Sequence, residues 1–402
     1  MNATSTEPLE GLASIDGIEY YLIPNVDRLE PFLVGVVSSG DLWLYASSSG
    51  GIAAGRVNAE GSLFPYRTDD LLHVVHAFSG GFTAIREGGT IWEPFTGRAD
   101  ADISRSLARS TSGDRLLVIE TNHSLGLEAR ARWAFSERSG LVRTVRIRNL
   151  TGTDRRLEVL DGIREIIPSG AGVGLMQSMS CLINAYTRAE RIDDLPLATV
   201  TMESALSDRP EPAESLLSTV AWGTGLPDAN LVLEALATEA FLRGDEPPSC
   251  NRIVDRSPAF MRHATLELTP EGSIEWSTVA DVRRRQAQVA EIRDRVASVV
   301  ELDAELEAEI AEGADRMDEI SMQTDGFQRS GDAIADAHHR TNTLYNDMRG
   351  GIPYDEDRFP WGDWVEFCAI RNSQVFERHR PWFDSRSETS LRSVPHCVGC
   401  SG

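Results

Sequence analysis

Residues 127–163 read LEARARWAFSERSGLVRTVRIRNLTGTDRRLEVLDGI. Leu127, Ala129, Ala131 and Trp133 alternate with Glu128, Arg130 and Arg132. Val145 and Ile147 alternate with Arg146 and Arg148, and Leu157 and Val159 follow a polar turn at Thr151-Gly152. Side chains two apart share one face of a strand, so this beat predicts long antiparallel strands with one face on a core and the other on water or a second layer. Arginines on the outward face suit a large sheet with a polar surface.

The same reading extends in both directions. From Gly17 to about Asp281 the chain is rich in strand patterns, beginning with Ile18–Ile23, Phe32–Val37 and Leu42–Ala46. Gly40-Asp41 supplies a hairpin turn between the last two, and Ser47–Gly51 and Glu87–Gly89 supply further turns. Arg188 to Glu214 reads as a long polar loop with short strands. The β region closes with Ala264–Leu268, a turn at Pro270-Glu271-Gly272, and Ile274–Val279. Many strands separated by Gly, Pro and Asp turns argue for a sandwich over a parallel α/β sheet.

The period then changes. Val289, Ile292, Val296, Val299, Leu306 and Ile310 fall at three- and four-residue spacings, which predicts one helix from Arg283 to a stop at Gly313. A second helix is expected from about Ser330 to Arg349 and a third from about Trp361 to Phe383. The last residues, SLRSVPHCVGCSG, break the helical pattern. A few helices cannot close a core of their own, so a fragment boundary or early stop is expected near Ser390.

The phrase SGLVRTVRIRNLTGTDRRLEVL, behind a strand ending in an aromatic, resembles the N-terminal β-sandwich of glycoside hydrolase family 94. That group holds the cellobiose, cellodextrin and chitobiose phosphorylases and the phosphorylase-like part of cyclic glucan synthases. The resemblance implies a mainly β chain: a large antiparallel β super-sandwich over 1–281, a helical linker over 282–325, the first helices of an incomplete (α/α) barrel over 326–389, and an irregular tail over 390–402. It implies a glycoside phosphorylase or hydrolase acting on β-linked gluco-oligosaccharides, with inorganic phosphate as co-substrate, no cofactor and a possible homodimer. The general acid and the phosphate-binding residues would belong to the barrel, beyond Gly402. No catalytic residue is therefore assigned, and the chain by itself is expected to be silent.

Composition narrows the chemistry. The chain has 402 residues with 62 acidic and 39 basic side chains, a net charge of −23, and every base is Arg. Without Lys there is no pyridoxal Schiff base, no P-loop lysine and no Ser-x-x-Lys site. So acidic a chain argues against a nucleic-acid partner, which requires a basic footprint. No apolar run is long enough to cross a bilayer, and MNATSTEPLE lacks the pattern of a signal peptide. The expectation is no membrane partner and a cytoplasmic location. Five Cys is a low, odd count, and the isolated Cys181, Cys250 and Cys368 suit reduced buried thiols there.

Two segments are candidates for oligosaccharide contact. In WEPFTGRADAD, Trp92, Glu93, Arg98 and Asp100 supply an aromatic face for the C–H side of a sugar and charged groups for its hydroxyls. In NDMRGGIPYDEDRFPWGDW, Trp361, Asp363 and Trp364 are placed to rim a cleft. The competing reading is structural: a Trp capping the sandwich with Arg98 paired to an acid, and a helix–helix loop with packed aromatics.

No metal site is assigned. His338-His339 are adjacent, so on a helix they face different ways and cannot chelate one ion as an i, i+4 pair would. His396-Cys397-Val398-Gly399-Cys400 is half a zinc knuckle with no second pair. Ser169–Gly174 is glycine-rich but lacks the GxGxxG spacing, and reads as a loop. The alternative function is a stand-alone carbohydrate-binding β-sandwich without catalysis; a degenerate product without any ligand is another. A mutarotase-like epimerase would need a His and Glu in one cleft, and no motif joins His73, His76, His123 or His263 to an acid.

Overall fold

The alternating stretch forms three ten-residue strands, Leu127–Ser136, Gly140–Asn149 and Arg155–Arg164, in a computed structural model of the chain. The structure describes residues 11–74, 80–96, 102–204, 216–226, 228–323, 326–348, 358–385 and 390–392. The first two strands pair antiparallel in full register, from Leu127 opposite Asn149 to Ser136 opposite Gly140. They lie in the middle of an eleven-stranded sheet. The third belongs to a different, five-stranded sheet, where it is flanked by Pro258–Leu268 and Gly80–Glu87.

The turn at Thr151-Gly152 is thus a corner between sheets, not a hairpin. The turn at Pro270–Gly272 is the other corner, because Pro258–Leu268 lies in the small sheet and Ser273–Arg285 in the large one. Fully buried Asn149 ties the corners together. Its side-chain amide donates to Thr153 O at 2.7 Å and to Thr269 O at 3.0 Å, and its backbone N–H donates to Gly272 O at 2.9 Å.

The two sheets pack face to face through the residues that the alternation selected. Leu127, Ala129, Ala131, Val145 and Ile147 of the large sheet meet Leu157, Val159, Ala264 and Leu266 of the small one, with Trp92 and Trp276 in the same cluster. A three-stranded sheet, Leu33–Val37, Leu42–Ser47 and Ile52–Arg56, packs with Trp133 and Phe135 in a second cluster. The chain is mainly β, built on large antiparallel sheets.

The helical readings need correction. Strand Ser273–Arg285 runs past the expected start, and the single helix is two: Gln286–Ser298 and Leu302–Gln323. Gly313 does not stop the second. It lies inside that helix, where an added Cβ would come no closer than 3.9 Å to Phe135 O and Ser39 Oγ. A lone Gly costs a helix only about 1 kcal/mol, which packing outweighs. Leu302, Leu306 and Ile310 close the core over Val220, Trp222 and Val279. Ser169–Gly172 lie outside any helix, as the loop reading expects, and from Val173 to Tyr186 the chain is helical.

The chain divides into two compact units, 1–315 and 316–402. The second contains helix Ala333–Met348, whose start is capped by Asp332 accepting from Ile334 N at 3.0 Å and Ala335 N at 3.1 Å. The expected helix from Trp361 to Phe383 is broken into Trp361–Arg371 and Ser373–Asp384. Asn372, at φ −149°, leaves the helical region, and its side chain accepts from Val375 N at 3.1 Å to begin the next helix. Among the described residues no helix is long and apolar enough to cross a membrane, and no group of three His, Cys, Asp or Glu is arranged to hold a metal.

Candidate functional site

The WEPF segment folds onto a buried carboxylate. Trp92 is only 4% exposed, and its indole N–H donates to Glu120 Oε1 at 3.3 Å. Phe95, at φ 70°, donates its backbone N–H to Glu120 Oε2 at 3.0 Å. The Trp92 ring therefore belongs to the core between the sheets and offers no open face for a sugar, which corrects the reading of it as a stacking platform. Glu93 is half-buried, and its charge acts on Arg164. Arg98 and Asp100 lie outside the described residues.

In the second unit Trp361 and Trp364 are partly exposed on one helix and Asp363 is exposed in its first turn. The Trp361 ring lies 5.7 Å from Trp382 and 5.9 Å from Phe383, and Trp364 stacks on Phe367 at 6.0 Å. These aromatics mainly pack against each other.

Cavity volume separates the remaining candidates. A cavity of about 40 Å³ lies between the large and three-stranded sheets, lined by Phe95, Trp133, Arg105 and Arg143. A water needs about 10–15 Å³ by this measure, so that space takes a few water-sized groups and not a sugar ring. Two larger clefts flank the Ile167-Pro168 turn. One, of about 220 Å³, is lined by Glu60, Ser169, Gly170, Gly172, Thr219 and Arg283. Ser169 and Thr219 are buried there but satisfied, since their hydroxyls meet at 3.2 Å and Thr219 donates to Ile167 O at 2.8 Å.

The other, of about 180 Å³, contains a carboxyl, Glu165, whose pKa is raised by burial. Glu165 sits one residue beyond strand Arg155–Arg164, where φ 53° turns the backbone out of the sheet. A non-Gly residue in this region stores strain that surrounding structure must hold. The carboxylate forms a 3.5 Å ion pair with Arg67. Burial nevertheless pushes its pKa above the usual carboxylate range, and Arg67 and then Arg164 only partly oppose it. Arg164, buried beneath it, lies 4.3 Å over the Phe82 ring, and burial pushes its own pKa down to about 10.

Around Glu165 the walls are Pro65, Ile166, Pro168, Met176 and Pro258, and the further polar groups are Asn184 and Ser257. By the same measure the space admits about a dozen water-sized groups, close to the size of one hexose. A raised carboxyl beside a guanidinium in an apolar cleft can donate or accept hydrogen bonds to a hydroxyl-rich ring.

This site was not among the sequence candidates. Its signal was present in REIIPSGAGVGLMQSM, residues 164–179: a charged pair ending an alternating strand, then Pro and Gly, then apolar residues at helical spacing. Only the fold brings Arg67 and Asn184 to it. The His–Glu pairing that no motif supplied does occur, with His263 Nε2 3.8 Å from Glu158 Oε2. Burial lowers the His263 pKa, and neither residue lines any of the clefts above.

No family profile matches the chain, and no curated protein sequence matches it. Among solved structures it is similar to a bacterial glucoamylase complexed with acarbose, at 9% identity over 73% of this chain and 37% of that one, with a TM-score of 0.45. It is similar to a family 92 α-mannosidase from Bacteroides thetaiotaomicron, at 9% identity over 83% of this chain and 38% of that one, with a TM-score of 0.38. A third similarity is to a galactose mutarotase related enzyme from Lactobacillus acidophilus, at 9% identity over 63% of this chain and 98% of that one, with a TM-score of 0.33. The chain spans little more than a third of the length of the glucoamylase and the mannosidase, and all three neighbours are carbohydrate-active enzymes.

Proposed function

We propose that this chain is the β-sheet part of a carbohydrate-active enzyme of the glycoside phosphorylase or hydrolase class, and that the Glu165 cleft takes one sugar unit of a β-linked gluco-oligosaccharide. The observation that carries the reading is the cleft: about 180 Å³ around a raised carboxyl, a guanidinium and an amide, with apolar walls. The resemblance to family 94 supports the substrate class, and the residues that bear it form strand Gly140–Asn149 near the centre of the large sheet and, past the corner, strand Arg155–Arg164 of the small one. In this reading the sheets are the family's super-sandwich and the helices after Ser330 are the first of an (α/α) barrel. The acid that protonates the leaving oxygen and the groups that hold inorganic phosphate come from that barrel. Trp361, Asp363 and Trp364 would be a separate contact for the saccharide, and a homodimer is a further expectation of the resemblance.

Hydrogen exchange with and without saturating cellobiose tests the assignment. Binding at the cleft slows exchange around Glu165–Ile167 and Asn184. Unchanged exchange there, at concentrations that protect another surface, would sink it. A parallel assay with cellobiose and phosphate separates the two classes of protein. The enzyme-part reading expects no turnover by this chain until a helical barrel is supplied. The alternative, a stand-alone carbohydrate-binding sandwich, expects tight binding with no turnover under any condition.

A further inference from the structure

Strand Ser273–Arg285 loses its regular pairing near its end. Against strand Leu217–Thr224 it sets Asp281 opposite Val220 and then Arg284 opposite Ser218. Val282 and Arg283 therefore both face the single residue Thr219. Such an insertion is a β-bulge, which bends a strand and re-aims a side chain, and bulges gather beside active sites. Arg283 takes the left-handed backbone at φ 58°, where an arginine is uncommon and the strain must be held by its surroundings. The buried Ser169 hydroxyl helps to hold it, accepting from Arg283 N at 2.9 Å.

The bulge builds the 220 Å³ cleft. Leu217, Thr219, Val282 and Arg283 line it together with Glu60 and the Gly170–Gly172 loop. Gly170, at φ 99°, and Gly172 present bare backbone there, and the Glu60 carboxylate lies against Gly172. Glu60 and Arg283 are both exposed, and among the described residues neither side chain is taken up by an ion pair or hydrogen bond.

The Glu165 cleft has the same build. Each cleft holds one carboxylate and one guanidinium, Glu165 with Arg67 and Glu60 with Arg283. A charged residue in left-handed backbone stands in each, Glu165 at φ 53° and Arg283 at φ 58°. Their volumes, about 180 and 220 Å³, are alike, and Ile167 and Pro168 form a wall common to both. Four residues separate Glu165 from Ser169, at most about 14 Å, so one short oligosaccharide can reach into both.

We infer that the Arg283 cleft is the adjoining saccharide subsite, and that the chain takes two consecutive β-linked sugar units across Ile167-Pro168. This rests on the assignment of the Glu165 cleft to the first unit. The second unit is a neutral ring edged with hydroxyls, to which Glu60 supplies acceptors and Arg283 donors. An inorganic anion suits the cleft less well, because the Glu60 charge opposes it.

Glucose and cellobiose are the probes, titrated calorimetrically into the whole chain. Two subsites bind cellobiose roughly tenfold or more tightly than glucose. Arg283→Gly removes the guanidinium and gives φ 58° the residue that tolerates it best, so its Tm should hold or rise. This variant and Glu60→Gln should each weaken cellobiose toward the affinity of glucose and leave glucose unchanged. Equal affinity for the two sugars in the wild-type chain would overturn the second subsite while the Glu165 assignment stands. So would cellobiose binding that either substitution leaves unchanged. Binding of neither sugar removes the Glu165 assignment and this one with it. Should a variant not fold, hydrogen exchange on the wild-type chain decides. Cellobiose, and not glucose, should slow exchange at Gly170–Gly172, and the same protection by both sugars would contradict the second subsite.

Discussion

Arg143 and Arg262 cross the space between the two sheets in opposite directions. Arg143 leaves the large sheet to reach Asp161 in the small one, while Arg262 leaves the small sheet to reach the carbonyls of Thr224 and Ser277 in the large one. Both are almost fully buried. In register, Arg143 lies opposite Thr278 and Asp161 opposite Arg262, so each guanidinium meets the strand position beside the other's root.

Breaking this crossing should be severe. Arg143→Met leaves Asp161 buried and charged, and removal of one partner of a buried pair typically costs about 3–5 kcal/mol. Replacing both, as Arg143→Met with Asp161→Leu, should recover part of that loss. Urea unfolding of the single and double variants measures it.

Gly162 is the backbone counterpart. At φ 157° beside Asp161, an added Cβ would stand 2.0 Å from Phe260 O on the neighbouring strand. Backbone cannot yield as a side chain can, so Gly162→Ala should lose about 3 kcal/mol or more. Gly88→Ala, where nothing stands within 4 Å but φ is 58°, should lose only about 1 kcal/mol.

Glu309 fastens the helix Leu302–Gln323 to the turn between the two central strands. It accepts from Ser136 Oγ and Ser139 Oγ, both at 2.6 Å, and from Arg295 at 2.8 Å. Glu309→Ala should cost about 2–4 kcal/mol, given about 1.5–3 for a bond to a charged group and partial rescue of Arg295 by Glu305. Hydrogen exchange at Leu306 and Ile310 should quicken before that of the strands.

The raised pKa of Glu165 sets a sign for pH dependence. Between its unfolded value and its higher folded value the native state holds more protons than the unfolded one. Stability therefore falls as pH rises through that window, and it is flat above the folded value. Glu165→Gln should remove this slope. The difference in unfolding free energy between the two proteins, followed upward from pH 4, checks it. A difference that does not change with pH would contradict the burial argument.

Much of the fold was legible because alternation is a local property. Leu127 to Val159 fix both faces of three strands without reference to any distant residue. The corners were not legible: Thr151-Gly152 and Pro270–Gly272 look like hairpin turns, and only the pairing of Arg155–Arg164 with Pro258–Leu268 shows the change of sheet. Trp92 misled because residue type says nothing of exposure. Its indole N–H finds Glu120, a residue 28 positions away, inside the core. Glu165 was missed because its partners, Arg67 and Asn184, come from remote segments, and its backbone turn is a tertiary effect.

The most direct test of the central claim is a calorimetric titration of the chain with cellobiose, repeated on Arg67→Ala and Glu165→Ala. Saturable binding by the wild-type chain, weakened roughly tenfold or more by each substitution, is the predicted result, since each removes a charged hydrogen-bonding group worth about 1.5–3 kcal/mol. Equal affinity in all three proteins, or no heat of binding to the folded wild-type chain, would contradict the assignment of the cleft to a sugar.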